Sequence, residues 1–125
     1  MEAEPSTLGD HDLPSLIGLA RVFEAEGRTA EEIEAFRRIV DLQPQYAAAR
    51  LLLAKRLVAT EDLRDAREQL DILKGLIPGN PLVYELSGDA GKEDRQAARE
   101  DYEMALRLTV DKRQRGRLSK KIKAR

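Results

Sequence analysis

The chain has 125 residues, 42% of them apolar and 36% charged, which is enough for one domain with a modest core and a well-solvated surface. With no cysteine and a single histidine, His11, it excludes disulfides and thiol chemistry and argues against a zinc site. Net charge is −1, but residues 111–125 hold eight basic side chains and one acid (+7), leaving 14 basic and 22 acidic residues elsewhere (−8).

No apolar run approaches the roughly 20 residues that span a bilayer. The acidic start, Met1 to Thr7, lacks the basic and apolar stretches of a secretory signal, so the cytoplasm is the default expectation. Residues 1–12 contain Pro5, Gly9 and several acids without apolar periodicity and are expected to be disordered. Helical patterning begins near Leu13-Pro14, where a proline suits a first turn. Leu16, Leu19, Ala20 and Phe23 mark a buried face, and Gly27 ends that helix. Thr29 to Glu32 reads as a capping box, opening a helix with Ile33, Phe36, Ile39 and Val40 on one side.

The plan then repeats. Ala47 to Ala59 is strongly helix-forming, with Leu53, Ala54 and Leu57 inward; Thr60 to Asp62 turns into a helix carrying Leu63, Ala66, Leu70, Leu73 and Leu76. Pro78-Gly79-Asn80-Pro81 stops it. A third unit opens at Leu82, Val83, Tyr84 and Leu86, turns near Gly91 to Asp94, and presents Ala98, Tyr102, Ala105 and Leu106. A last helix, about Asp111 to Ala124, has a narrow stripe of Leu118 and Ile122, with Leu108 and Val110 leading in. No segment alternates as a strand would, so the predicted fold is all-α: three hairpins and a capping helix.

Catalysis finds little footing. His11 lies in the irregular start, and acidic pairs such as Glu31-Glu32 sit on helix surfaces. The glycine-lysine step at Gly91-Lys92 lacks the spacing and the strand of a phosphate loop. No metal or cofactor is expected, and the chain reads as a non-enzyme.

Pro44 and Pro78 stand 34 residues apart and close stretches with the same internal spacing. Leu16, Leu19-Ala20, Phe23, Gly27, Phe36 and Pro44 in the first unit resemble the tetratricopeptide repeat. So do Leu53-Ala54, Leu57, Ala66, Leu70 and Pro78 in the second, and Tyr84, Gly88, Ala98, Tyr102 and Ala105 in the third. The resemblance covers about Leu13 to Leu108 and implies an α-solenoid, divided as 13–46, 47–80, a shortened 81–108 and a basic cap over 109–125. Glu32 departs from the family's small alanine, Arg50 from its large aromatic. The third unit is two residues short, so its first helix should end about half a turn early. The small residues Ala20, Ala54 and Gly88 are expected where the two helices of a hairpin approach closely.

What the resemblance implies for function is recognition of a peptide or helix of another protein in a concave groove lined by the first helix of each hairpin. The residues it places there are Ile17, Arg21 and Glu24, then Ala48, Leu51 and Lys55, then Leu82, Glu85 and Asp89. Arg21, Lys55 and Asp89 form one row, Ile17 and Leu51 an apolar row beside it. Clamping of a chaperone's C-terminal carboxylate is disfavoured, because the single asparagine, Asn80, falls in a turn. Two alternatives stand beside the adaptor: a self-associating module or piece of a larger assembly, using an apolar edge near Phe23 and Ile33, and anion or nucleic-acid binding by the basic last helix. For that helix the favoured reading is a solvating cap with its lysines in water; no aromatic interleaves the basic run, so nucleic acid is the weaker partner.

Overall fold

A computed structural model describes residues 12–124. The expectations for His11 and for the disorder of the first residues lie outside that range, apart from Asp12. Among the described residues seven helices and no strand occur: α1 Leu13–Ala25, α2 Thr29–Leu42, α3 Ala47–Ala59, α4 Leu63–Leu76, α5 Pro81–Ala90, α6 Arg95–Leu108 and α7 Lys112–Ala124. Successive helices pair as hairpins (α1/α2, α3/α4, α5/α6), each hairpin stacks on the next, and α7 packs on α6.

The hairpin turns explain the boundaries. At the end of α1, Gly27 takes φ 71° while Arg28 N–H donates to the Phe23 carbonyl, closing the last turn. One repeat later Glu61 adopts the same left-handed conformation, φ 64°, and Asp62 N–H donates to the Leu57 carbonyl. Asn80 caps α5 by accepting from Leu82 and Val83 N–H, and Asp94 and Asp111 do the same for Ala97 and Gln114.

The expected capping box at Thr29 does not form. Helix α2 starts at Thr29 itself, behind Arg28, and no side chain caps it. Glu32 instead turns inward, 3% exposed, and accepts from Arg56 at 3.0 Å. The carboxylate fills the place of a small residue only because a cation from the next hairpin meets it. Arg50 is the second buried departure. Its guanidinium donates to Gln69 Oε1 at 2.7 Å and to the Pro44 carbonyl at 2.6 Å, while its Nε meets no acceptor.

The core runs through the stack: Leu16, Ile39, Leu53, Leu57, Leu70, Leu73 and Val83 are all essentially buried. Ala20 and Ala54 lie buried as expected. Gly88 is required more strictly, since a Cβ there would come within 2.6 Å of Tyr102 Cδ1 and 2.8 Å of Cζ. Helix α5 stops at Ala90, three residues short of where α3 stops one repeat earlier. That is closer to a whole turn than the half turn expected. Leu118 is fully buried against Ala98, Tyr102 and Ala105, with Ile122 beside it. Val110 does not lead into that stripe; it is 94% exposed in the linker.

Candidate functional site

The nine residues expected to line a groove fall on α1, α3 and α5, the first helix of each hairpin. Their surroundings differ from one end to the other. Arg21, Glu24, Ala48 and Lys55 are exposed; Ile17, Leu51 and Leu82 are half-buried. Arg21 and Lys55 meet no acid among the described residues. Glu24 is held by Arg56 at 3.1 Å, the guanidinium that also grips Glu32.

Glu85 and Asp89 belong to a different environment. Glu85 is 2% exposed and receives Arg117 Nε at 2.8 Å, Lys121 Nζ at 2.8 Å and Gln114 Nε2 at 3.0 Å, all from α7. Lys121 also donates to Asp89 at 2.9 Å, and Asp89 accepts from the Tyr102 hydroxyl at 2.7 Å. Burial alone would raise the Glu85 pKa; the hydrogen bonds from Arg117, Lys121 and Gln114 outweigh it and bring it down to about 2. Glu85 is therefore engaged inside the protein, and half-buried Asp89 is paired with the same lysine, Lys121. The expectation that the lysines of the cap stay in water fails at Lys121 for the same reason: two carboxylates and the Tyr102 ring, 5.7 Å away, draw it in.

One signal could have revealed this network. Because the third unit is two residues short, the period there falls to 32, so Arg117 is the counterpart of Glu85 and Lys121 that of Asp89. Each base sits one shortened repeat from its acid, on adjacent first helices. The remaining described cations of α7, Lys112, Arg113, Arg115, Lys120 and Lys123, are exposed, and Arg115 donates to the Leu106 and Thr109 carbonyls.

Between α1 and α3 lies a notch of about 200 Å³. Phe36 and Ile39 of α2 form its floor with Ala20; Ala48 and Ala49 of α3 line one lip, and Arg21, Tyr46 and Leu52 stand at its rim. A larger, polar depression of about 540 Å³ lies at the hairpin turns and is spanned by the Lys92–Glu61 ion pair. Among the described residues no cluster of three or more metal-ligating side chains occurs, and no helix is long and apolar enough to cross a membrane.

The stacked hairpins, with small residues where helices touch, define a helical-repeat solenoid. A profile of the tetratricopeptide repeat matches residues 23–89, more than half of the chain, which therefore belongs to the tetratricopeptide repeat family. Among solved structures it is similar to the Yersinia enterocolitica type III secretion translocator chaperone SycD, crystallised as an alternative dimer. The TM-score is 0.79 at 17% identity, over 90% of this chain and 89% of that one. It is similar also to the first such domain of Spaghetti (RPAP3) bound to the HSP90 peptide SRMEEVD, with TM-score 0.76 and 18% identity over 90% and 91% of the two chains. MamA from Desulfovibrio magneticus RS-1 matches with TM-score 0.76 and 18% identity, over 90% of this chain and 69% of that one. At these identities the likeness is one of fold. No curated protein matches the sequence.

Proposed function

We propose that the protein is a non-catalytic cytoplasmic adaptor that holds a peptide or helix of another protein against the face shared by α1 and α3. The observation that carries this reading is the pair Arg21 and Lys55. They are exposed, without acidic partners among the described residues and one repeat apart, beside the apolar row of Ile17 and Leu51. Two exposed cations flanking half-buried aliphatic side chains favour a segment that is part apolar and part acidic. Family membership supports a binding role, and relatives in fold include one bound to a peptide. That relative's ligand does not transfer readily, because Asn80 is spent on capping α5.

The binding site is thus narrower than the nine residues expected from the sequence. It comprises Ile17, Arg21, Glu24, Ala48, Leu51 and Lys55, with Leu82 at its far edge. The test is a pull-down from nuclease-treated lysate of the encoding organism, with wild type beside Arg21→Glu/Lys55→Glu. A protein retained by wild type and lost with the variant supports the adaptor. Equal retention by both places binding elsewhere.

Self-association is the second reading. Val22 is 48% exposed on α1, near half-buried Phe23 and Ile33, where no hairpin precedes α1 among the described residues. Light scattering across a concentration series tests it: a mass that doubles for wild type but not for Val22→Glu supports it, and a constant monomer mass removes it.

A further inference from the structure

We propose that the notch between α1 and α3 is an anchor pocket for one aliphatic side chain of a partner segment, whose neighbouring acidic residue pairs with Arg21 or Lys55. This rests on the groove reading above and specifies the chemistry of its ligand.

The notch exists because one junction lacks what the next one has. Each residue around it has a counterpart 34 positions on. The floor is conserved in kind: Phe36 and Ile39 correspond to Leu70 and Leu73, all buried. The lip is not. Ala48 and Ala49 stand where the second junction has Leu82 and Val83, and Val83 is fully buried there. Leu52 is 42% exposed, whereas its counterpart Leu86 is 6% exposed. The helices follow suit, since α3 and α5 touch more extensively than α1 and α3 do. The second junction fills this space with its own aliphatic side chains; the first leaves it open with an apolar floor. An aliphatic side chain from outside would supply the missing contacts.

Size and charge narrow the occupant. About 200 Å³ is below the roughly 300–1,000 Å³ of small-molecule pockets and suits a single side chain. Of the lining residues, Glu24 is already paired with Arg56; among the described residues Arg21 at the rim and Lys55 one repeat on meet no acid. They favour a carboxylate next to the anchor and disfavour a basic one.

The test selects from a random peptide library displayed on phage, using the full chain as bait. Selected peptides are then measured against wild type, Arg21→Glu/Lys55→Glu, and Ala48→Leu/Ala49→Val, which gives the first junction the side chains of the second. The proposal expects peptides sharing a leucine, isoleucine, valine or methionine within a few residues of an aspartate or glutamate. Filling the notch should weaken them at least about tenfold, the equivalent of burying one such side chain, with the melting temperature unchanged or raised. In wild type, the methyl resonances of Ile17, Ile39 and Leu52 should shift on binding. That readout decides the matter should the filled variant fold poorly. Peptides weakened by charge reversal but unaffected by filling, or leaving those methyls unmoved, overturn the anchor and spare the groove. Peptides indifferent to both variants, or no enrichment at all, overturn both.

Discussion

The first and last junctions of the stack solve the same problem in opposite ways. Between α1 and α3 the rim cation Arg21 faces solvent over an apolar notch, and Lys55, its counterpart on α3, is exposed as well. Between α5 and α7 the equivalent position, Asp89, is half-buried and paired with Lys121 of the cap, beside buried Glu85 and its partner Arg117. The same repeat position is thus open surface at one end and part of an ion-pair network at the other. What decides is not the residue's place in the repeat but what the following first helix brings to it. Asp89 is drawn in because α7 delivers Lys121 to it; its counterpart Arg21 remains surface and meets no acid among the described residues.

The comparison is broken most forcefully at Leu118. It is the fully buried apolar contact of α7, so Leu118→Ala should cost about 2–5 kcal/mol in denaturant unfolding. A loss under 0.5 kcal/mol would mean that α7 is not part of the closed end.

Next in size is the acid limb of stability. Glu85 has a depressed pKa in the folded state, so its contribution is present above the unfolded value near 4.3 and fades as pH falls toward about 2. The window between them is worth on the order of 3 kcal/mol. Glu85→Gln should lower stability at pH 7 and flatten the pH dependence between about 4.5 and 2. An unchanged acid limb would show that the network does not hold the carboxylate ionised.

The smallest effect sharpens the contrast at the open end. Arg50 is buried like Glu85 but meets only neutral acceptors, with its Nε unpaired. Arg50→Leu, which copies Leu16 one repeat earlier, should raise stability by about 1 kcal/mol, since an unpaired buried charge is removed. A fall in the melting temperature would show that the bonds to Gln69 and Pro44 outweigh that cost.

Much of the fold could be read from the residues alone. The 34-residue frame places α3 and α4 with their observed ends, and Gly27 and the Pro78–Pro81 turn stop helices as glycine and proline do. Local chemistry misleads where a distant partner intervenes. Thr29 and Glu32 have the spacing of a capping box, yet Arg56, 24 residues away, takes the glutamate. The groove row is likewise legible as a row, but Asp89 leaves it for Lys121 and Glu85 is buried beneath α7. Such ion pairs depend on how hairpins stack, which no local pattern encodes. The notch was invisible for a different reason. It is an absence of volume at Ala48 and Ala49, which in sequence looks only like good helix formers.

The most direct test is hydrogen–deuterium exchange on the full chain, with and without a library-selected peptide. Slowed exchange confined to α1 and α3, with α5 and α7 unchanged, is the predicted result. Protection centred on α5 and α7 instead would contradict it, placing the ligand at the end that the cap is said to close.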